Sequence, residues 1–399
     1  MITTESFFER PRSWSLIKYK ILDYYLSQYF PKVNQQYKAP AYVADLFAGR
    51  GKFEDGSVGS PLIIARHAYK YQQLLGFRNR VILSEIIEED RKVLLNNMEE
   101  YIQNKVVTVI PGEATDVGKF LLAEIPASRP LFIFLDPFGI KGLSMELLLQ
   151  VFERAKRGST ELLINFNYRA VQRLSGICKN LASKSDTLRK QALTIKSIVD
   201  DSLNGDWWFK IMTSESIPED KKLDTIMENY LNNFRSVFQW IGLVPVTSFR
   251  DKKDIKYYLI FASQSQIAIE LMNDVTIRAR KEALLDEIKE ENIDTLFQGN
   301  NPNEFIKNTS QKDIEGLSEI IFKETLIMVN QGIGTSEKIT DVSFTRPDIR
   351  ARLLKWQFAR FTKSEYNDAI KKLLIDGKFV SENNSIQISD ERKIKIIHS

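Results

Sequence analysis

Cysteine and histidine are scarce in this 399-residue chain, which contains one cysteine, Cys178, and two histidines. A single cysteine excludes an intramolecular disulfide, and so few His and Cys residues exclude a structural zinc site built from them. The sequence also lacks an apolar run near the roughly 20 residues that a membrane helix requires. Because residues 1–12 are charged and contain no apolar signal segment, we expect a cytoplasmic protein that does not bind membranes.

No strong charge excess is present either, since 56 basic and 52 acidic residues leave a net charge of +4. This balance permits a polyanionic partner without requiring one. Hydrophobic residues make up 43% of the chain, which is typical of globular proteins and argues against disorder or a fibrous repeat. The length favours two domains.

Short apolar segments alternate with amphipathic segments over the first 165 residues. Strands are predicted at 41–47, 81–85, 106–110, 131–136 and 161–165, with helices between them. Apolar strands that alternate with helices are typical of a parallel sheet that is covered on both faces. We therefore predict a doubly wound, mostly parallel, Rossmann-like α/β sheet.

The remaining chain predicts three further parts. A basic helical insertion is expected at about 168–235, followed by an antiparallel hairpin of strands 243–249 and 256–261 that ends the sheet. Turn-forming residues near 297–303 place the domain boundary at residue 300, which gives domains 1–300 and 301–399. In the second domain, three helices and a ribbon that pairs 378–380 with 385–389 predict a winged-helix-like fold.

A glycine loop follows the first predicted strand, at the end where nucleotide-type ligands bind parallel sheets. Its candidate cofactor-binding residues are Asp45, Phe47, Ala48, Gly49 and Gly51. The loop lacks the third glycine of the dinucleotide fingerprint, so a dinucleotide-dependent oxidoreductase is a less favoured alternative. The other alternative is a simple tight turn.

Acidic residues end the next two strands and extend this candidate site. Glu85 can accept hydrogen bonds from the two hydroxyls of a ribose. Glu113 and Asp116 can accept hydrogen bonds from an adenine amino group. Either acid taken alone is more often a solvated strand end than a ligand contact, but the preceding glycine loop favours a binding role for Glu85.

The fourth strand ends in Asp136, Pro137, Phe138 and Gly139, called here the Asp-Pro-Phe-Gly segment. A carboxylate, a proline-bent backbone carbonyl and a stacking ring can orient an exocyclic amine of a nucleobase for attack. We therefore predict catalytic roles for Asp136, Pro137 and Phe138. The same residues also satisfy a type I turn, which is the structural alternative.

These motifs together resemble those of the three-Cys-motif partner proteins, the TcmP family. The resemblance is carried by 45–51, by 59–62 and by 134–139, and it extends over most of the chain. It implies a methyltransferase-like sheet, S-adenosylmethionine (SAM) as cofactor, no metal, and a partner that carries a three-cysteine motif. The Asp-Pro-Phe-Gly segment is also similar to the motif of methyltransferases that modify amino groups of nucleic acids, although these usually have a second proline there.

Two functions remain open at this point. The first is a SAM-dependent methyltransferase that acts on an amino group of a DNA or RNA base, with a possible role in mobile-element or phage conflict. The second is a non-catalytic adaptor that binds SAM or a nucleotide and recruits a partner through its winged helix. In the first case the basic insertion, 169–196, can hold the strand.

Some residues carry weaker predictions. Lys18, Lys20 and Lys52 can line the cofactor site, although lysines are usually solvated. The aromatic run 207–209 can stack on a base, but packing of the insertion is the simpler interpretation. The basic residues of the second domain are mixed with acids, so nucleic acid and protein are equally suited as its partner.

Overall fold

The computed structural model describes residues 13–247, 255–290, 314–331 and 342–397. It contains two compact units, Met1–Ser265 and Gln266–Ser399. The predicted boundary at residue 300 and the predicted loop 250–254 lie outside the described residues. Within this part of the chain, no helix combines the length and apolar character that crossing a membrane requires.

The first unit is built on a seven-stranded mixed sheet with the strand order β3-β2-β1-β4-β5-β7-β6. Its strands are β1 (Tyr42–Asp45), β2 (Arg80–Glu85), β3 (Val107–Pro111), β4 (Leu131–Leu135), β5 (Thr160–Phe166), β6 (Trp240–Thr247) and β7 (Ile255–Ser263). Strands β1 to β5 are parallel, β7 pairs antiparallel with β5, and β6 pairs antiparallel with β7. The predicted α/β sheet that ends in an antiparallel hairpin is confirmed.

One helix precedes the parallel strands, and the others connect them. In chain order they are α1 (Ser13–Tyr37), α2 (Ser60–Leu75), α3 (Glu88–Asn97), α4 (Glu99–Gln103), α5 (Ala114–Glu124) and α6 (Met145–Ala155). Pro61 is tolerated at the start of α2, because a first-turn amide needs no partner within the helix. The Ser144 hydroxyl caps α6 by accepting a hydrogen bond from the amide of Leu147.

The two faces of the sheet are covered by different helices, as alternating side chains require. On one face, Tyr25 of α1 packs against Phe132 and Phe261 with ring centroids 5.5 and 5.4 Å apart. On the other face, the neighbouring strand residues Leu131 and Ile133 join the core formed with α5 and α6. The sheet is therefore doubly wound, and its five central strands are buried.

All regular secondary structure between β5 and β6 is helical. It contains α7 (Tyr168–Cys178), a 3-10 turn (Lys179–Ala182), α8 (Asp186–Leu203), α9 (Trp207–Thr213) and α10 (Glu219–Arg235). Trp208 is completely buried and donates a hydrogen bond to Asp200 over 2.8 Å. This burial supports packing of the insertion, and not base stacking, as the role of Trp208.

The second unit contains α11 (Gln266–Glu290), α12 (Ile314–Gln331), α13 (Arg346–Gln357), α14 (Lys363–Ile375), β8 (Phe379–Ser381) and β9 (Ile394–Ile396). A capping box begins α14, with reciprocal hydrogen bonds between Thr362 and Glu365. Helix α11 belongs to this unit because Asn273 hydrogen-bonds to the backbone of Ala359 and Phe361. The first compact unit therefore ends at Ser265, before the predicted boundary at residue 300.

The predicted ribbon of the second unit is wrong in its second strand. Phe379–Ser381 pairs with Ile394–Ile396 and not with 385–389. Ile394 is buried, whereas Ile386 is 44% exposed, so burial selects the later segment. Asp390 also forms ion pairs with Arg350 and Lys363, which fixes the longer connection against the helices.

Candidate functional site

Asp45 is the last residue of β1 and lies at the carboxyl edge, the edge of the sheet at which β1 to β5 end. Its side chain is completely buried. Oδ1 accepts a hydrogen bond from the amide of Phe47 over 3.1 Å. Within the described residues Oδ2 forms no hydrogen bond, although the Ser60 hydroxyl lies close enough to the carboxyl group to influence its pKa. A buried carboxyl oxygen without a partner is unfavourable in the ligand-free protein, so it is a candidate for contact with a donor on a ligand.

Burial raises the pKa of Asp45 to about 7, because the low-dielectric surroundings disfavour the charged form. The Ser60 hydroxyl and the Phe47 amide lower this pKa, the negative charge of Asp136 raises it further, and Lys18 lowers it. Asp45 therefore changes its charge near neutral pH. Such a group responds strongly to a positively charged ligand.

The glycine loop adopts the conformation that its glycines permit. Gly49 and Gly51 have φ angles of 59° and 81°, in the left-handed region that glycine tolerates best. The Gly51 carbonyl accepts a hydrogen bond from the Gly59 amide, which returns the loop to the start of α2. Ala48 is buried and donates its amide hydrogen to the carbonyl of Ser84 on β2. The loop is thus fixed by backbone contacts on both sides.

Glu85 holds the loop from the adjacent strand. Its Oε2 accepts a hydrogen bond from the Gly49 amide over 2.9 Å, and its Oε1 accepts one from the Ile87 amide over 2.8 Å. Burial raises the pKa of Glu85, while these backbone hydrogen bonds lower it. Each carboxylate oxygen can accept more than one hydrogen bond, so the predicted contact with a ribose remains compatible with this geometry.

The two acids predicted at the third strand lie on the surface. Glu113 is the N-cap residue of α5, and Asp116 lies in the first turn of that helix. Both are exposed, so neither is held in place by packing. Their proposed contact with an adenine stays a prediction.

Asp136 follows β4 and is engaged by two side chains. Lys18 of α1 forms a short ion pair with Oδ2, and Asn165 of β5 donates a hydrogen bond from Nδ2 to Oδ1 over 2.6 Å. The Lys18 and Asp136 side chains are only 7% and 11% exposed. The sheet therefore brings residues from α1, β4 and β5 together beside Asp45.

The ion pair determines the charge state of Lys18. Burial by itself lowers the pKa of a lysine ammonium group, but the charge and hydrogen bond of Asp136, together with Tyr19 and Tyr257, outweigh that effect and raise the pKa of Lys18 above its usual value. Lys18 is consequently a buried cation. Sequence reasoning named Lys18 only among three possible surface lysines, because nothing in a helical sequence shows which lysine faces an acid.

Asn165 was missed by sequence reasoning, although it ends an apolar strand just as Asp136 follows one. Because its Nδ2 faces the Asp136 carboxylate, its amide oxygen points elsewhere. This buried Oδ1 forms no hydrogen bond with any residue in the described part of the chain. The reversed amide orientation would place two acceptor oxygens against each other. Asn165 thus offers a buried acceptor atom beside the Asp136 carboxylate.

Contacts of Phe47 join the glycine loop to the Asp-Pro-Phe-Gly segment. A Cβ atom added at Gly142 would lie 2.7 Å from the Phe47 ring and 3.3 Å from Pro137. Only glycine fits there, so the loop after β4 lies directly against the ring. Pro137 is buried in this contact, whereas Phe138 turns outward and is 76% exposed.

The structure thus gathers Asp45, Phe47, Pro137 and Asp136 at one edge, and it leaves Glu113 and Asp116 on its exposed side. Asp45 and Asn165 each present a buried acceptor atom that forms no hydrogen bond among the residues described. These two acceptors suit a ligand that carries ammonium or amino hydrogens.

No family model matches this chain, and no curated protein matches it. Distant similarity was found to solved structures of methyltransferases. A putative O-methyltransferase from Klebsiella pneumoniae is 11% identical, with a TM-score of 0.32 over 63% of this chain and 90% of its own.

Two further neighbours have similar values. An O-methyltransferase from Bacillus cereus in complex with SAH is 15% identical, has a TM-score of 0.30, and is matched over 59% of this chain and 80% of its own. The O-methyltransferase TomG from Streptomyces achromogenes, in complex with SAM, is 10% identical, with a TM-score of 0.31 and coverages of 60% and 79%.

At these TM-scores the neighbours carry no argument about the site or substrate of this chain. The strand order 3-2-1-4-5-7-6 with an antiparallel seventh strand is itself typical of the Rossmann-like fold of methyltransferases. The fold is therefore methyltransferase-like.

Proposed function

We propose that this protein is a SAM-dependent methyltransferase that acts on an amino group of a nucleic-acid base. The observation that carries the proposal is the carboxyl edge of the sheet, where Asp45 and Asn165 present buried acceptors that form no hydrogen bond with any described residue. A cofactor that contains an ammonium group and a substrate that contains an amine both supply the donors that this edge lacks.

The residues at this edge fit such a cofactor. Gly49 and Gly51 let the backbone approach a ligand closely, and Asp45 offers a carboxylate to an ammonium group. Glu85, which accepts a hydrogen bond from the Gly49 amide, would accept hydrogen bonds from the ribose hydroxyls. When bound, SAM supplies a methyl group on a sulfonium centre that is open to direct displacement. The contribution of the protein is alignment of the two reactants.

At the substrate side, the chain provides positioning groups. The Asn165 oxygen is an acceptor for an amino hydrogen, and Lys18 and Asn165 hold the Asp136 carboxylate at a fixed place. Withdrawing an amino hydrogen into a hydrogen bond localises the nitrogen lone pair, which a base amine needs for attack. Asp136, Pro137 and Phe138 keep their proposed roles around the target base.

The alternative is a non-catalytic SAM- or nucleotide-binding adaptor. It is favoured by one observation, namely that both oxygens of Asp136 already have partners in Lys18 and Asn165. An adaptor keeps the cofactor contacts of Asp45 and does not use Asp136.

We further propose that the chain is related to the TcmP proteins, with a three-Cys-motif protein as partner. The motifs at 45–51 and 134–139 support this relation. A winged helix in the second unit is supported by the order of α12, α13, α14, β8 and β9, together with an antiparallel bridge between Phe344 and Ile394.

Calorimetric titration with SAM and with its demethylated product tests the proposal. Asp45→Ala should abolish binding, whereas Asp136→Ala and Asn165→Ala should retain it and lose transfer of a labelled methyl group to DNA or RNA. Retained transfer in both of these variants would exclude the substrate roles. Absence of SAM binding by the wild-type protein would exclude the methyltransferase.

A further inference from the structure

An open cleft of about 190 Å³ lies beside the Asp-Pro-Phe-Gly segment. It is formed by residues 138–141 on one side and by helices α7 and α8 of the insertion on the other. Its apolar wall consists of Ala170, Leu174, Ile195 and Ile198. Its first lining residue, Phe138, follows Asp136 by two residues, so the cleft borders the segment that carries the proposed reaction site.

The walls of this cleft are fixed to each other. The Ser202 hydroxyl at the end of α8 donates a hydrogen bond to the Ile140 carbonyl over 3.1 Å. Ile140 and Val171 are buried in the same core. The cleft is therefore a feature of the packed insertion, and a ligand can enter without separation of the walls.

The chemistry of the cleft is aromatic and cationic. Phe138 exposes 76% of its surface at the mouth, and Lys141 and Arg173 are exposed lining residues. Neither of these two cations forms an ion pair or hydrogen bond with the described residues. Residues 168–203 contain seven basic and three acidic side chains, so this segment alone has a charge of +4, equal to that of the whole chain.

We propose that this cleft binds one unpaired base of a single-stranded nucleic acid, with the ring of Phe138 against the base and Lys141 and Arg173 on the flanking phosphates. Stacking and phosphate contacts are the two interactions by which proteins hold single strands. The volume equals that of about six water molecules, which suits one base and not a duplex. An acidic peptide would satisfy the cations but would not use the ring and the apolar wall.

This inference rests on the proposed function for the reaction at Asp136, but binding can be measured separately. Fluorescence anisotropy with short labelled RNA and DNA strands, and with their duplexes, would measure affinity over a range of salt concentrations. We expect single strands to bind more tightly than duplexes, and the comparison of RNA with DNA identifies the polymer.

The variants report on the two interactions separately. Phe138→Ala should weaken single-strand binding about tenfold, since stacking on one ring contributes an effect of this order. Lys141→Gln with Arg173→Gln should lower the slope of log affinity against log salt by about 1.4, since each phosphate contact contributes roughly 0.7.

The matched control is Lys32→Gln with Arg66→Gln, which removes the same two charges. Both residues are exposed and lie on α1 and α2, away from the cleft, and neither has an ion pair within the described chain. This control should retain the wild-type slope, and the melting temperatures of all variants should match because the altered side chains are exposed.

If the cleft variants bind single strands as the control does, the inference is wrong even where SAM binds. If the wild-type protein binds single strands through the cleft but does not bind SAM, the methyltransferase proposal fails and the inference stands. The two failures are therefore distinguishable.

Discussion

Replacing Asp45 with asparagine should make the stability of the first unit less dependent on pH. In the folded protein Asp45 has a pKa of about 7, whereas the usual value for this group is 3.8. Between these two pH values the folded state binds a proton that the unfolded state has released. Stability must therefore fall as the pH rises from about 4 to about 7.

The magnitude follows from the linkage relation. Each pH unit in this interval changes the free energy of unfolding by about 1.4 kcal/mol, so the whole interval corresponds to about 4 kcal/mol. The asparagine side chain of the variant does not titrate, so between pH 5 and pH 7 the wild-type protein should lose about 2 kcal/mol relative to Asp45→Asn. Any fixed effect of the amide on packing cancels, because it is present at both pH values.

Urea denaturation at pH 5, 6, 7 and 8 measures this difference. Glu161, another buried acid with a pKa of about 7, is present in both proteins and cancels as well. Ile64→Val is a suitable control, since it alters a buried residue without a titrating group and should have an effect of about 1 kcal/mol at every pH. A constant difference between wild type and Asp45→Asn across this range would refute the assigned charge behaviour.

Three other outcomes are expected. Lys18→Met should lower the free energy of unfolding by about 3 to 5 kcal/mol, because it leaves the Asp136 charge buried without its cation. In urea denaturation, the double variant Lys18→Met with Asp136→Leu should recover most of this loss. Gly142→Ala should lower stability by about 1 to 3 kcal/mol, because the added Cβ displaces the Phe47 ring. In the same thermal unfolding assay Gly176→Ala should not destabilise the protein, because this helical glycine has no atom within 4 Å of an added Cβ. Calorimetry should show SAM binding weakening by up to about tenfold per pH unit below pH 7, as Asp45 becomes protonated.

Most of the sheet was predictable, because each strand is a short apolar run bounded by polar turns. The predicted 131–136 and 161–165 agree with β4 and β5 to within one residue at each end. The positions of Asp45, Glu85 and Asp136 at one edge followed from the parallel arrangement alone. These are local patterns, which a sequence contains in full.

Pairings between distant residues were not predictable in the same way. Lys18 and Asp136 are 118 residues apart, and Asn165 reaches Asp136 from a neighbouring strand. The correct second strand of the ribbon likewise depends on burial of Ile394. In each case packing selects among several chemically equivalent residues, and only the folded chain shows which one is chosen.

The two acids at the carboxyl edge differ in how their charge is balanced. Asp136 has Lys18 beside it, whereas no cation within the described chain is paired with Asp45. The charge of Asp136 is therefore balanced by Lys18, whereas the charge of Asp45 is left unbalanced once that carboxyl group ionises. A cationic ligand supplies this charge and lowers the pKa of Asp45, which couples its binding to pH. In the proposed reaction, a neutral amine would be the better match at Asp136, with the Asn165 oxygen as its acceptor. The proposal thus assigns a cationic cofactor to Asp45 and an amine substrate to Asp136, as a methyl transfer between two such ligands requires.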